Sequence, residues 1–249
     1  MTKKNEKEDI LFWTDGVDSE RSINEVLNGL KDSSKGYIDA TIKARRADIS
    51  SKSIAKSLPQ YVLEDLSSIL NYSDKSLLTF ADYCDRSVLF PIIDKMLAYV
   101  YLNMLISNKI IDKLFFSMTR GMPYTNTELV RIDRDEIINN QYEALGNFKI
   151  VVYFSRYADD GMVTQELWNI LAAGVFVICS ANTDLSTFGN EAPETFKNTW
   201  ELEKKVRYYL NNPDKRIEKA EITARRAREM GGYDNRVKRI LDDLKGRIE

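Results

Sequence analysis

An α/β fold, a parallel sheet with helices on both faces, is what this sequence predicts, on three observations. The runs "FKIVVYFS" (148–155) and "GVFVICS" (174–180) are apolar without alternation, as strands covered on both sides are. Stretches with apolar residues at helical spacing precede and separate them, "RDEIINNQYEAL" (134–145) and "QELWNILAAG" (165–174). Near the start, a third apolar run from Ile10 to Thr14 turns through Asp15-Gly16 into Ile23, Val26, Leu27 and Leu30 at helical spacing, which reads as strand, loop, helix.

The remaining elements follow in order. "GYIDATIKARR" (36–46) alternates apolar and polar and is expected as a second strand, followed by a Ser-rich connection, "ISSKSIAKS". Residues 59–113 are expected to be helix-rich, with an apolar helix around 92–106. Its stripe of Ile92, Ile93, Met96, Leu97, Val100 and Leu105 suits a core, or alternatively an interface with a homodimer partner or another subunit through this helix-rich middle. "KLFFSM" (113–118) is a further candidate strand, closed by Gly121 and Pro123. Three helical pieces form the tail: "TWELEKKVRYYLNN", stopped at Asn-Asn-Pro213; "DKRIEKAEITARRAREMGG", ending on a Gly pair; and "NRVKRILDDLKGRI". The expected layout is a solvated tail (1–9) and a single α/β domain (10–249) with a helix-rich insertion at 51–112.

Composition narrows the function. The 36 Lys+Arg nearly balance 38 Asp+Glu, for a net charge of −2, so neither nucleic acid nor an anionic membrane surface is indicated and any anion site must be local. The two cysteines, Cys84 and Cys179, sit among apolar residues far apart, which suits buried thiols and a cytoplasmic location. "MTKKNEKED" lacks the apolar stretch of a secretory signal. The most apolar window, 88–106, holds Pro91, Asp94, Lys95 and Asn103, so no membrane span is expected. Histidine is absent altogether, which removes His-based triads, His metal ligands and His acid-base chemistry. No cofactor or metal is called for; the chemistry falls to carboxylates, Lys, Arg, hydroxyls and backbone amides.

In an open parallel sheet, ligands sit beyond the carboxyl ends of the strands, which is where the loop Ser155 to Gly161 lies. A helix starting near Met162 to Gln165 would turn its first amides toward the same crevice, where a phosphate can bind. Glu166, in that helix's first turn, has two readings: it complements the helix dipole, or it accepts hydrogen bonds from sugar or ribose hydroxyls. Gly174 reads as a helix C-cap.

Glu166 with Ala172-Ala173-Gly174 is followed by Phe188-Gly189 with Glu191, then by Phe196 and Glu201-Leu202 with Lys205 and Tyr209-Leu210, and finally by Arg226 and Tyr233 with Arg236. This succession resembles the C-terminal half of GT-B glycosyltransferases, in particular the group related to the spore-maturation protein CgeB. The resemblance implies a Rossmann-like, GT-B-type half in which the loop before Glu166 and Glu166 itself face a nucleotide-sugar donor, with the donor-binding part at 134–249. It also implies that "ILFWTDGVDSERSINEVL" is the first strand, glycine loop and helix, with Gly16 allowing close approach of the ligand and Arg21 reaching a phosphate. Gly161 and Arg156 join that donor-binding set, Arg120 is a further cationic candidate, and Asp15 or Asp160 is the candidate base. The chain is short for two Rossmann-like domains, so a non-catalytic relative that binds a nucleotide or a partner is the alternative. A nucleoside- or NAD-handling TIR-like enzyme is a third reading of "YADDGMVTQELWNILAAG". Acceptor and donor sugar are not specified by these residues.

Overall fold

Successive side chains of a strand point to opposite faces, and here both faces are sealed. In the first strand, Ile10 and Phe12 enter one core and Leu11 and Trp13 the other, all four at 0% exposure. The same parting recurs at Ile150, Val152 and Phe154 against Val151 and Tyr153. The computed structural model in which these positions are seen describes residues 8–14, 20–45, 47–50, 53–73, 77–108, 114–118, 129–131, 137–138, 140, 142–159, 161–181 and 183–245.

Among the described residues six strands form one sheet: β1 (Glu8–Thr14), β2 (Leu114–Met118), β3 (Leu129–Arg131), β4 (Phe148–Phe154), β5 (Val177–Ser180) and β6 (Glu194–Phe196). Their order is β3-β2-β1-β4-β5-β6 and every pairing is parallel. This is the doubly wound, Rossmann-like order, in which the direction of winding reverses between β1 and β4. The register there sets Leu11 opposite Val151 and Thr14 opposite Phe154, so the two strands end level at the reversal.

One face carries α1 (Glu20–Gly29), α2 (Asp32–Ala44), α3 (Gln60–Ile69), α4 (Phe80–Ser107) and α6 (Thr199–Asn211). They contribute Ile38, Ile42, Val62, Leu66, Leu97 and Leu202 to a single apolar cluster with Phe12, Val152 and Phe154. The opposite face carries α5 (Gln165–Ala172) and α7 (Pro213–Gly231), with Leu167, Ile170 and Ala227 packed against Trp13, Val151 and Cys179. Last in the chain is α8 (Tyr233–Lys245).

Of the strand expected over 36–46, Arg46 lies outside the described residues and residues 36–44 are instead part of α2. Ser34, Ile38 and Ile42, four apart, are its buried residues, and Lys35 with Asp32 and Lys43 with Asp39 pair along the exposed side. Tyr37, directly before the alternating run 38–45, lies 39% exposed and meets Tyr61 of α3 edge-on at 6.4 Å. The helix expected over 134–145 is interrupted: Ile137 and Ile138 are helical, but Tyr142 takes a left-handed conformation (φ 65°) and a 3-10 turn, Glu143–Asn147, follows. Both unexpected strands, β3 and β6, are three residues long and close the two edges of the sheet.

At 28 residues, α4 is longer than expected and, by length and composition alone, long and apolar enough to cross a membrane. Within the protein, 62% of that apolar window is buried, and Ile93, Leu97 and Leu105 of the expected stripe are at 0% exposure. A π-helical turn, Asp85–Leu89, lies within it. Asp85 is 2% exposed and accepts from Ser53 Oγ (2.7 Å), Ile54 N (3.1 Å) and Ala55 N (2.8 Å), fastening the connection between α2 and α3 to α4. Both cysteines are buried and unbridged, and burial pushes each thiol up to about 12, which fits inert core thiols.

Two side-chain arrangements lead to stability predictions. Gly231, the last residue of α7, lies against Trp168 of α5: a Cβ there would sit 2.8 Å from Cε3 of an indole stacked on Phe188 at 4.7 Å. Gly231→Ala is expected to cost about 1–2 kcal/mol in urea unfolding, because overpacking outweighs the roughly 1 kcal/mol of helix propensity that Ala adds. Gly232→Ala, whose nearest atom would be 3.7 Å away, is expected to stay within about 0.5 kcal/mol of the parent. A loss of equal size at both positions would contradict the packing account.

Glu194 on β6 accepts from Lys205 Nζ (2.7 Å) and Tyr209 Oη (2.9 Å) of α6. Burial opposes its ionisation, but Lys205 and Tyr209 prevail and hold the carboxyl below its ordinary 4.5. A depressed folded value means stability present above the unfolded pKa and lost as pH falls through the folded one. Lys205→Met is therefore expected to be less stable than the parent at neutral pH, with the gap narrowing below about pH 4. A gap independent of pH would rule out this coupling.

Candidate functional site

In a sheet of this order ligands sit outside the carboxyl ends of the strands at the winding reversal, here the ends of β1 and β4. Thr14, the last residue of β1, is 2% exposed, and its register partner Phe154 leads into Ser155, 1% exposed. Ser155 ties the exits of β4 and β5 together: its N–H donates to Ser180 Oγ at 3.0 Å, and its hydroxyl meets Ser180 Oγ at 3.0 Å and Thr183 Oγ1 at 2.8 Å. All three hydroxyls are buried, so this network holds the exits of β4 and β5 in one arrangement.

Beyond Ser155 the loop is pinned from the helical side. Asp94 of α4, 4% exposed, accepts the Tyr157 N–H at 2.9 Å, and the Tyr157 hydroxyl donates to the Ile49 carbonyl at 3.2 Å. Burial pushes the Tyr157 phenol well above its ordinary value, which keeps it a neutral donor. Arg156 forms a two-pronged pair with Asp159, Nε to Oδ2 at 2.8 Å and Nη2 to Oδ1 at 3.0 Å. Asp159 is nearly enclosed (6%) while the Arg156 side chain is 43% exposed, so the guanidinium is held in a fixed plane beyond the end of β4. Gly161 follows at φ 77°, a left-handed turn that glycine enters without strain and that directs the chain into α5.

The helix start is capped from within. Thr164 accepts the Leu167 N–H and meets Tyr153 Oη at 2.8 Å, fixing the N-terminus of α5 to the second-to-last residue of β4. The first-turn amides of Gln165 and Glu166 thus stand at the same edge of the sheet as Ser155. Glu166 is half-buried, with its Oε2 sealed from solvent. Gly174 closes α5 at φ 84° with its N–H on the Leu171 carbonyl, the expected cap.

The expected site residues Arg156, Gly161 and Glu166 thus come from one loop-helix segment at the winding reversal. Arg21 falls in α1, which follows β1, and its side chain is outside the description; Asp15, Gly16, Arg120 and Asp160 lie outside the described residues. Sequence reading missed Asp94, Asp159, Ser180 and Thr183. A carboxylate inside the apolar run of α4 was the available signal for Asp94; the hydroxyl pairing depends on sheet register and left none. Among the described residues no three Cys, Asp or Glu side chains gather as a metal site.

A cavity of about 320 Å³ lies elsewhere, at the amino-terminal edge of the sheet, lined in part by Phe148, Lys149, Phe176, Arg216, Ile217 and Glu221. It is at the opposite end of β4 from Ser155, and its lining mixes charges of both signs.

Compared with known families, residues 123–242 match the model of a family described as glycosyl transferase-like, just under half of the chain. The matched segment begins before β3 and runs into α8, so it contains β4, the pinned loop, α5 and Glu166. The match supports a glycosyltransferase-type function for this chain. No curated protein and no solved structure matches it.

Proposed function

We propose that the crevice between the ends of β1 and β4 binds a nucleotide sugar and that the chain transfers the sugar to an acceptor. One observation carries the reading: the glycosyl transferase-like segment contains the loop and helix start that stand at the winding reversal of the sheet, where ligands of such folds sit. In this reading the diphosphate lies at the N-terminus of α5, where backbone amides and the helix dipole favour an anion. Arg156 and Arg21 offset its charge, and Gly16 and Gly161 let the backbone approach closely. Glu166 accepts from sugar or ribose hydroxyls.

The chemistry is displacement at the anomeric carbon. An acceptor oxygen forms the new bond, the bond from the sugar to the diphosphate breaks, and the acceptor proton passes to a carboxylate, either Asp15, next after β1 in sequence, or Asp160, in the loop sequence between β4 and α5. Cations and amides at the diphosphate act on charge that develops as the leaving group departs, the most effective place for electrostatic stabilisation.

Thermal unfolding of the protein with a panel of nucleotides and nucleotide sugars tests this. At 100 times its dissociation constant a ligand adds about 2.7 kcal/mol, or about 5–10 °C for a chain of this size. One diphospho-sugar is expected to produce such a rise; no rise with any of them would sink the proposal. A second reading, a binder without turnover, draws support from the described strands forming one sheet with no second one. Release of nucleoside diphosphate over time in the presence of the stabilising ligand separates the two.

A further inference from the structure

The final helix, α8, leaves aliphatic side chains in solvent. Val237, Leu241 and Leu244 are 53%, 50% and 50% exposed, at spacings that put them in one row on the helix. Flanking this row is a line of exposed charges, Asp234, Lys238, Asp242 and Lys245. At 3.6 residues per turn the four fall within an arc of about 80° on one side of the apolar row. Along the chain their signs run minus, plus, minus, plus; read in reverse they run plus, minus, plus, minus.

We propose that a second copy of this chain covers the row, its α8 running antiparallel to the first about a two-fold axis. In such a pair each flank meets the same flank of the other copy, because a two-fold interface is self-complementary. The reversed sign order then sets Asp234 against Lys245 and Lys238 against Asp242, each pair occurring twice. A parallel arrangement would instead turn this flank toward the opposite flank of the other helix, so the four charges would not meet one another. The pairing buries the only three aliphatic side chains recorded as large and half-exposed on this helix among the described residues. Two helices of this length make an interface at the small end of the range, so the dimer is expected to be reversible and to form at high chain concentration.

The pattern permits a test that separates pairing between copies from pairing within one helix. Lys238→Glu alone sets 238 against 242 with like charge in both copies, and Asp242→Lys alone does the same with the opposite sign. Either variant is expected to sediment at equilibrium as a single chain of 28.7 kDa where the parent approaches twice that mass. Mixed in equal amounts, the two variants are fully complementary, and the mass is expected to double again. Neither gains a pair within its own helix on mixing, so a stabilised helix cannot produce that result. Leu241→Asp is expected to be monomeric alone and in every mixture. A parent that stays at the mass of one chain at the highest measurable concentration overturns the proposal, as do charge variants that dimerise alone or a mixture that does not.

Discussion

Glu166→Ala is expected to cut the rise in melting temperature that a nucleotide sugar confers to about half or less, while changing the ligand-free protein by no more than about 1 kcal/mol. The small structural term follows from its position. Glu166 sits in the first turn of α5, where a carboxylate complements the helix dipole, but the capping of that turn is done by Thr164 through the Leu167 N–H. The ligand term is large because a hydroxyl bound to a carboxylate loses a charge-assisted hydrogen bond, about 1.5–3 kcal/mol, which is comparable to the whole stabilisation expected at 100-fold saturation. Glu166→Gln keeps the shape and one acceptor, so an intermediate shift is expected. If the alanine variant keeps the full rise, Glu166 only complements the helix dipole and the donor contacts lie elsewhere.

Asp85→Ala is expected to destabilise the fold by about 3–5 kcal/mol in urea unfolding, the largest effect of any single polar substitution considered. Its carboxyl oxygens are the acceptors for Ser53 Oγ and for two consecutive amides, Ile54 and Ala55, all within 3.1 Å. Ile54 and Ala55 are both at 0% exposure, so neither amide can turn to water when the acceptor is removed, and each stranded donor costs about 1–3 kcal/mol. Asp85→Asn, which retains a carbonyl acceptor, is expected to lose about half as much. A loss below about 1 kcal/mol for the alanine variant would mean that the connection between α2 and α3 is held by its apolar contacts alone.

The parts of this fold that were legible in the sequence share one physical property: a local pattern with a single structural solution. β4 and β5 are apolar on both faces because helices cover both faces, and nothing else accounts for such runs at that length. The first two of the three tail helices end where the sequence signals a stop, just before Pro213 and at Gly231-Gly232. By contrast, the stretch from Ile38 to Ala44 satisfies strand alternation and helical spacing together, and only the packing of Ile38 and Ile42 against the core selects the helix. The edge strands β3 and β6 are too short to carry a period.

The site divides the same way. The loop after β4, its glycine and the first-turn glutamate could be read because a strand end, a turn and a helix start are consecutive in the chain. The support beneath them could not. Ser155 meets Ser180 and Thr183 across 25 and 28 residues, and Tyr157 meets Asp94 across 63, distances that only sheet order and the course of α4 bring to zero. Asp94 illustrates the limit well: a carboxylate in an apolar helix announces a partner without saying which.

The most direct test of the central claim is a crystal structure of the protein with the nucleoside diphosphate that stabilises it most. The account predicts density for the diphosphate at the N-terminus of α5, within hydrogen-bonding distance of the Gln165 and Glu166 amides and beside Arg156. Density instead at the opposite edge of the sheet, between Lys149 and Arg216, would contradict it and move the ligand to the other end of β4.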